Sequence, residues 1–190
     1  PVVPQPSEIV REIIHMHRIY NNLWNKLYVR ELFEDGLRLD ESVHIGEDAL
    51  LNLQLYLRAK NIVHISDYTY VYRVHSSSAM ANMGLYSQAP QPMLQSMSAI
   101  LLREGVKELY FRDFLQSCVW VDEKETGIMA CMKRFNAYIR PLVLDGVQED
   151  RVPQWDLRIY RAVVKGYFPQ IYILLRIREK LTGRKWGIRR

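Results

Sequence analysis

Cysteine is nearly missing from this chain: two occur in 190 residues, Cys118 and Cys131. Both fall in segments that read as helical, with no His or Cys nearby at metal-ligand spacing. A disulfide scaffold is excluded. Two buried thiols in a reducing compartment is the leading reading, a structural bridge the lesser one. Long apolar runs are missing too. The longest, Ile128–Met132 and Ile171–Leu175, have five residues each, whereas a membrane-spanning helix needs about twenty. Residues 1–10, PVVPQPSEIV, show neither the charged start nor the apolar stretch of a signal peptide. No repeat and no low-complexity tract stands out beyond the Pro-rich start. What remains is ordinary for a globular chain, 48% hydrophobic and 25% charged, which excludes a disordered or collagen-like protein.

Charge is informative by position. Residues 1–150 carry 15 Lys and Arg against 19 Asp and Glu, while residues 151–190 carry 11 against 2. The pI near 9.2 therefore describes the last forty residues. A basic tail calls for an anionic partner: a membrane surface, nucleic acid or a phosphorylated substrate.

Apolar spacing predicts a short helix over Ile9, Ile13 and Ile14 capped by Ser7, and a helical turn from Arg30 to Gly36. Acidic residues at Glu47 and Asp48, ahead of the apolar run from Ala49, predict a helix to about Lys60. Two strands are predicted next, 62–66 and 68–75. In the second, Tyr68, Tyr70, Tyr72 and Val74 alternate with Thr69, Val71, Arg73 and His75. The aromatic side is expected to face the core. Residues 76–92 read as the longest loop, and helices are predicted at about 93–104, 107–121, 124–140, 155–165 and 168–182.

Trp24-Asn25-Lys26-Leu27-Tyr28, then Gly46-Glu47-Asp48, then Tyr70-Val71-Tyr72-Arg73-Val74-His75 with Ser77 or Ser78, form an ordered set. In order and spacing it resembles the second half of bacterial family 2 glycosyltransferases of the GT-A fold. The resemblance implies an α/β chain, mostly α. Residues 1–80 would be the acceptor-side, catalytic-base part, 81–92 a loop, and 93–190 a helical C-terminal extension. It also implies a missing nucleotide-binding half, since no Asp-x-Asp occurs. The chain is then expected to be an inactive piece of an inverting enzyme of surface or capsular polysaccharide synthesis. Its partners would be a nucleotide-sugar donor and a sugar or lipid-linked acceptor. A divalent Mg or Mn would serve the full-length enzyme, with none bound to this chain alone.

By the same resemblance Asp48 is the general base for the acceptor hydroxyl and Glu47 its orienting neighbour. A helix start would hold Asp48 in place and lower its pKa. Arg73, His75, Ser78 and Lys26 would bind the donor phosphates, with His75 also a candidate metal ligand. Trp24 and Asn25 would offer a sugar platform. Plainer readings stand beside these: acids decorating a helix start, a paired surface Arg73, a solvated His75, and Trp24 in the core. His15, His17, His44 and His64 have no metal-like spacing and read as core or surface residues.

In the tail, Phe168, Ile171, Leu174, Leu175 and Leu181 share a helical face into which Arg178 intrudes. Arg176, Lys180, Arg184, Lys185, Arg189 and Arg190 surround it, with Trp186 near the end. Such a face suits an anionic bilayer through residues 168–190, or core packing with a basic outer face. The second function class is thus a non-enzymatic helical adaptor that binds an anionic surface. No nucleic-acid motif is present. Either reading places the chain in the cytoplasm, peripheral to the inner face of the plasma membrane.

Overall fold

The structure, a computed structural model, describes residues 4–16, 21–43, 46–67, 69–71, 73 and 91–182, without the side chains of 91, 124–126 and 182. Helix α1 runs Pro6–Ile14, α2 Glu47–Arg58, α3 Gln91–Arg103 and α4 Phe111–Thr126. After them come α5 Ile128–Arg134, a π turn Phe135–Ile139, α6 Arg140–Leu144, α7 Leu157–Lys165 and α8 Phe168–Thr182. Short 3-10 turns occupy Arg30–Gly36, Glu149–Arg151 and Gln154–Asp156.

α4 is the central post, touching α1, α5, the π turn, α6 and α7. Its inward residues Phe111, Phe114, Leu115 and Cys118 are fully buried. They meet Ile13 of α1, Met97 and Leu101 of α3, Phe135 of the π turn and Val163 of α7 in one core. Both cysteines are buried and free. Burial drives their thiols well above the ordinary range, Cys131 to about 12, so neither is a ready nucleophile.

Helix ends follow local chemistry. Pro6 starts α1 after Gln5, because proline loses nothing at a first-turn position whose N–H is unpaired anyway. Ser7 lies inside the first turn and does not cap. Gly127 ends α4 at φ 80° and ψ 160°, so the break in the 107–140 region falls later than its expected place near 122. Gly46 precedes α2 at φ 94°. A Cβ there would also lie 2.2 Å from Met93 Sδ of α3, so the backbone calls for glycine and any larger residue would have to displace the Met93 thioether.

The expected α/β architecture is overturned. Among the described residues there is no sheet; 61–67, 69–71 and 73 carry a single bridge residue, His64, and no ladder. Tyr70 is 49% exposed and Val71 91%, and Thr69 and Arg73 are exposed too, so none of the described residues of the alternating segment is buried. A strand needs a neighbour to pair its N–H and C=O groups and an apolar layer to cover one face. Here the other elements are helices that pack on each other. A GT-A domain is built on a sheet, so the family 2 glycosyltransferase resemblance fails at the level of fold among the described residues, and the glycosyltransferase activity read from it fails with it. The described residues of the first two motifs, 24–28 and 46–48, are local features of a helical bundle.

The outward face of the C-terminal helix as candidate functional site

Of the motif residues, Asp48 stands in the first turn of α2, as expected, half-buried beside half-buried Glu47. Its carboxyl is nevertheless pushed up, not down. Burial outweighs the Leu23 backbone N–H it accepts and the nearby Lys26 charge. Burial likewise lowers the Lys26 ammonium to about 8, against the pull of Asp48. Lys26 donates to the Asn25 side chain at 2.6 Å and to the Asn22 carbonyl. Trp24 stacks on Tyr70 with ring centroids 4.7 Å apart, so one face of the supposed sugar platform is occupied.

The loop is fastened by a residue the sequence reading missed. Asn52, fully buried on α2, accepts the Tyr28 hydroxyl at 2.6 Å and donates to the Asn21 carbonyl at 2.8 Å. A polar residue at an inward position of an apolar helix was the available signal. Asp48, Lys26, Asn25 and Trp24 are thus brought together, whereas Arg73 is simply exposed. His75 and Ser78 lie outside the described residues. Among the described residues no group of three or more His, Cys, Asp or Glu could hold a metal ion.

The tail helix α8 has two unlike sides. Phe168, Ile171 and Leu175 face the core at 4% exposure or less, while Ile173 is 57% exposed, Ile177 48% and Leu181 82%. The outward three stand at i, i+4 and i+8, one row along the helix, with exposed Lys180 beside them. Leu181 therefore belongs to the outer side, contrary to its sequence placement.

Arg178 intrudes on the inner face for a reason. It reaches α4, where its Nη2 lies 3.0 Å from Asp113 Oδ1. The same oxygen takes buried His15 Nε2 of α1 at 3.0 Å, and Arg11 Nε lies 3.5 Å from Oδ2. Burial alone would raise this carboxyl; His15 and Arg178 reverse that and hold it at about 2. Next to this node, Arg112 pairs with Asp156 ahead of α7.

A second clamp sits on the flank of α8. Arg176 Nη2 is 3.1 Å from both oxygens of Glu123 and its Nη1 2.8 Å from Glu179. The Tyr172 hydroxyl donates to Glu123 Oε1 at 2.8 Å and accepts from Arg176 Nε at 3.0 Å. The groove between α4 and α8, lined by Trp120, Glu123, Tyr172 and Arg176, is shallow.

Comparison with protein-family models, with curated proteins and with solved structures returned no match.

The two clamps fix the rotation of α8. With Arg178 tied to α4 on one side and Arg176 on the other, Ile173, Ile177 and Leu181 must point away from the core. Among the described residues no helix is long and apolar enough to cross a membrane. Of the eleven tail cations, Arg176, Arg178 and, through Glu149, Arg161 are engaged in internal pairs. Arg151, Arg158, Lys165 and Lys180 are exposed.

Proposed function

We propose that the chain is a non-enzymatic helical adaptor that docks on an anionic bilayer surface through α8 and the residues after it. The observation that carries this reading is the outward row Ile173, Ile177 and Leu181 with Lys180 beside it. In sequence it runs straight into Arg184, Lys185, Trp186, Arg189 and Arg190. A helix lying in the interface buries an apolar side while cations meet the headgroups. Each Lys or Arg close to such a surface contributes about 1 kcal/mol. Lys180 and the four later cations, unlike Arg176 and Arg178, are the charges assigned to this task. The adaptor would work in the cytoplasm, at the inner face of the plasma membrane.

The test is co-sedimentation of the whole chain and a 1–182 truncation with neutral and anionic vesicles, at low and high salt. The expected result is binding to anionic vesicles alone, weakened by truncation and by salt, because the Debye length falls from about 10 Å at 0.1 M to about 3 Å at 1 M. Equal binding to neutral and anionic vesicles, or no loss on truncation, overturns the reading. A pull-down by RNA or DNA with no vesicle binding would transfer the basic tail to another partner class.

A further inference from the structure

Arg176 stands on the flank of the outward row, held by acids of α4 and α8. It stands three residues from Ile173 and four from Lys180, neighbouring positions on one side of a helix. Its side chain is 42% exposed, and that of Glu123 22%, so solvent and solutes reach the pair. Yet its fork is filled. Glu123, from the last turns of α4, takes Nη2 with both oxygens and also receives the Tyr172 hydroxyl, while Glu179 holds Nη1. The guanidinium stands 5.0 Å over the Tyr172 ring, which fixes its plane. A planar Arg fork with a hydroxyl beside it is suited to two oxygens of a phosphate as much as to two of a carboxylate.

Resting on the adaptor reading above, we infer that Glu123 is a built-in competitor for an anionic-headgroup site made of Arg176, the Tyr172 hydroxyl and Lys180. In the resting protein the Glu123 carboxylate occupies the place of the headgroup phosphate. When α8 meets an anionic bilayer, a lipid phosphate exchanges for that carboxylate on Nη2 and on the Tyr172 hydroxyl. Glu123 turns to water, and Glu179 keeps Nη1 and so the orientation of the fork. Every hydrogen bond to phosphate replaces one to carboxylate, so Arg176 adds little to the affinity of the unaltered protein. The clamp thereby sets an affinity low enough to be reversible. Charge complementarity selects the bilayer as occupant, because the exposed row beside the site is aliphatic and the sequence beyond it is cationic.

The experiment is a double-mutant cycle on vesicles of phosphatidylglycerol in phosphatidylcholine, using Glu123→Gln, Arg176→Gln and the pair together in the full chain. Glu123→Gln is expected to tighten binding roughly fivefold, the effect of freeing about one cation at the surface. Arg176→Gln alone is expected to change it less than twofold, and the double variant to return to the unaltered value. Glu179→Gln gives a second arm: Glu123 still fills Nη2 and the fork loses its hold through Nη1, so this variant is expected not to reproduce the tightening. Thermal melts of each variant confirm the fold. Unchanged affinity in Glu123→Gln, or a Glu179→Gln variant as tight as Glu123→Gln, overturns the inference while leaving the adaptor reading intact. A double variant as tight as Glu123→Gln also overturns it, because the gain would then come from removing an acid and not from Arg176. Absence of vesicle binding by every protein overturns both.

Discussion

Replacing Asp113 by Asn removes the carboxylate on which α1, α4 and α8 converge. In the intact protein its Oδ1 is 3.0 Å from both His15 Nε2 and Arg178 Nη2, and Arg11 approaches the other oxygen at 3.5 Å. Its side chain is 5% exposed, so solvent screening discounts little. The carboxyl sits at about 2 against an ordinary 3.8, which converts to roughly 2–3 kcal/mol of stabilisation at neutral pH. Asn keeps the shape but leaves Arg178 partly buried without its counter-charge, so about 3 kcal/mol is the expected loss. For a domain of this size that lowers the melting temperature by roughly 6–12 °C.

The pH dependence has a definite sign. A carboxyl depressed in the folded state holds more protons when unfolded, between about pH 4 and pH 2. Its stabilisation is therefore complete above pH 4 and lost as pH falls through 2. Urea titrations across pH 2–6 should show the unaltered protein losing the advantage over Asp113→Asn within that window. A variant within about 0.5 kcal/mol of the parent at pH 7, or a gap that does not close on acidification, would refute the reasoning.

Two further outcomes are expected. Lys107 is fully buried, with its ammonium, lowered by burial, donating to the Leu142 and Asp145 carbonyls at 3.0 and 2.6 Å. Lys107→Met should cost about 2–3 kcal/mol by denaturant titration, since α6 loses the cation that pairs its last carbonyls; no measurable loss would mean those carbonyls find other partners. Gly46→Ala should lower the melting temperature by several degrees, as Cβ is opposed by both the positive φ and Met93; a neutral effect would show that α2 and α3 can part without cost.

The helices from 91 to 182 were legible because their apolar spacing persists for many turns and Gly166 punctuates it, although the break at Gly127 was expected near 122. The helix start at Glu47 was legible for a similar reason: two acids precede an apolar run. The described part of the segment that follows α2, residues 61–67, 69–71 and 73, was not. Alternating aromatics describe a strand only if another strand stands beside it, and a partner many residues away leaves no mark in the local pattern. The ordered Trp-Asn-Lys, Gly-Glu-Asp and Tyr-Arg-x-His set suggested a sheet-based transferase for that reason. It is short-range information, and the residues of its first two pieces serve here to seat a loop on α2 beside Asn52. In the candidate site, the mixed apolar and basic character of α8 was readable, but which side faced out was not. That was decided by Arg176 and Arg178, whose acidic partners Glu123 and Asp113 lie more than fifty residues upstream. An arginine inside an apolar arc was the visible clue to the Asp113 clamp.

The central claim is that the outward row of α8 meets a bilayer, and it is tested most directly by changing that row alone. In Ile173→Ser/Ile177→Ser/Leu181→Ser every basic residue and both clamps remain. Each of these exposed side chains should contribute about 1 kcal/mol on burial in the interface. Together that is about 3 kcal/mol, so vesicle co-sedimentation of the triple variant should show roughly hundredfold weaker binding to anionic vesicles, with an unchanged melting temperature. Affinity equal to that of the unaltered chain would contradict the account, because the apolar row would then take no part in docking.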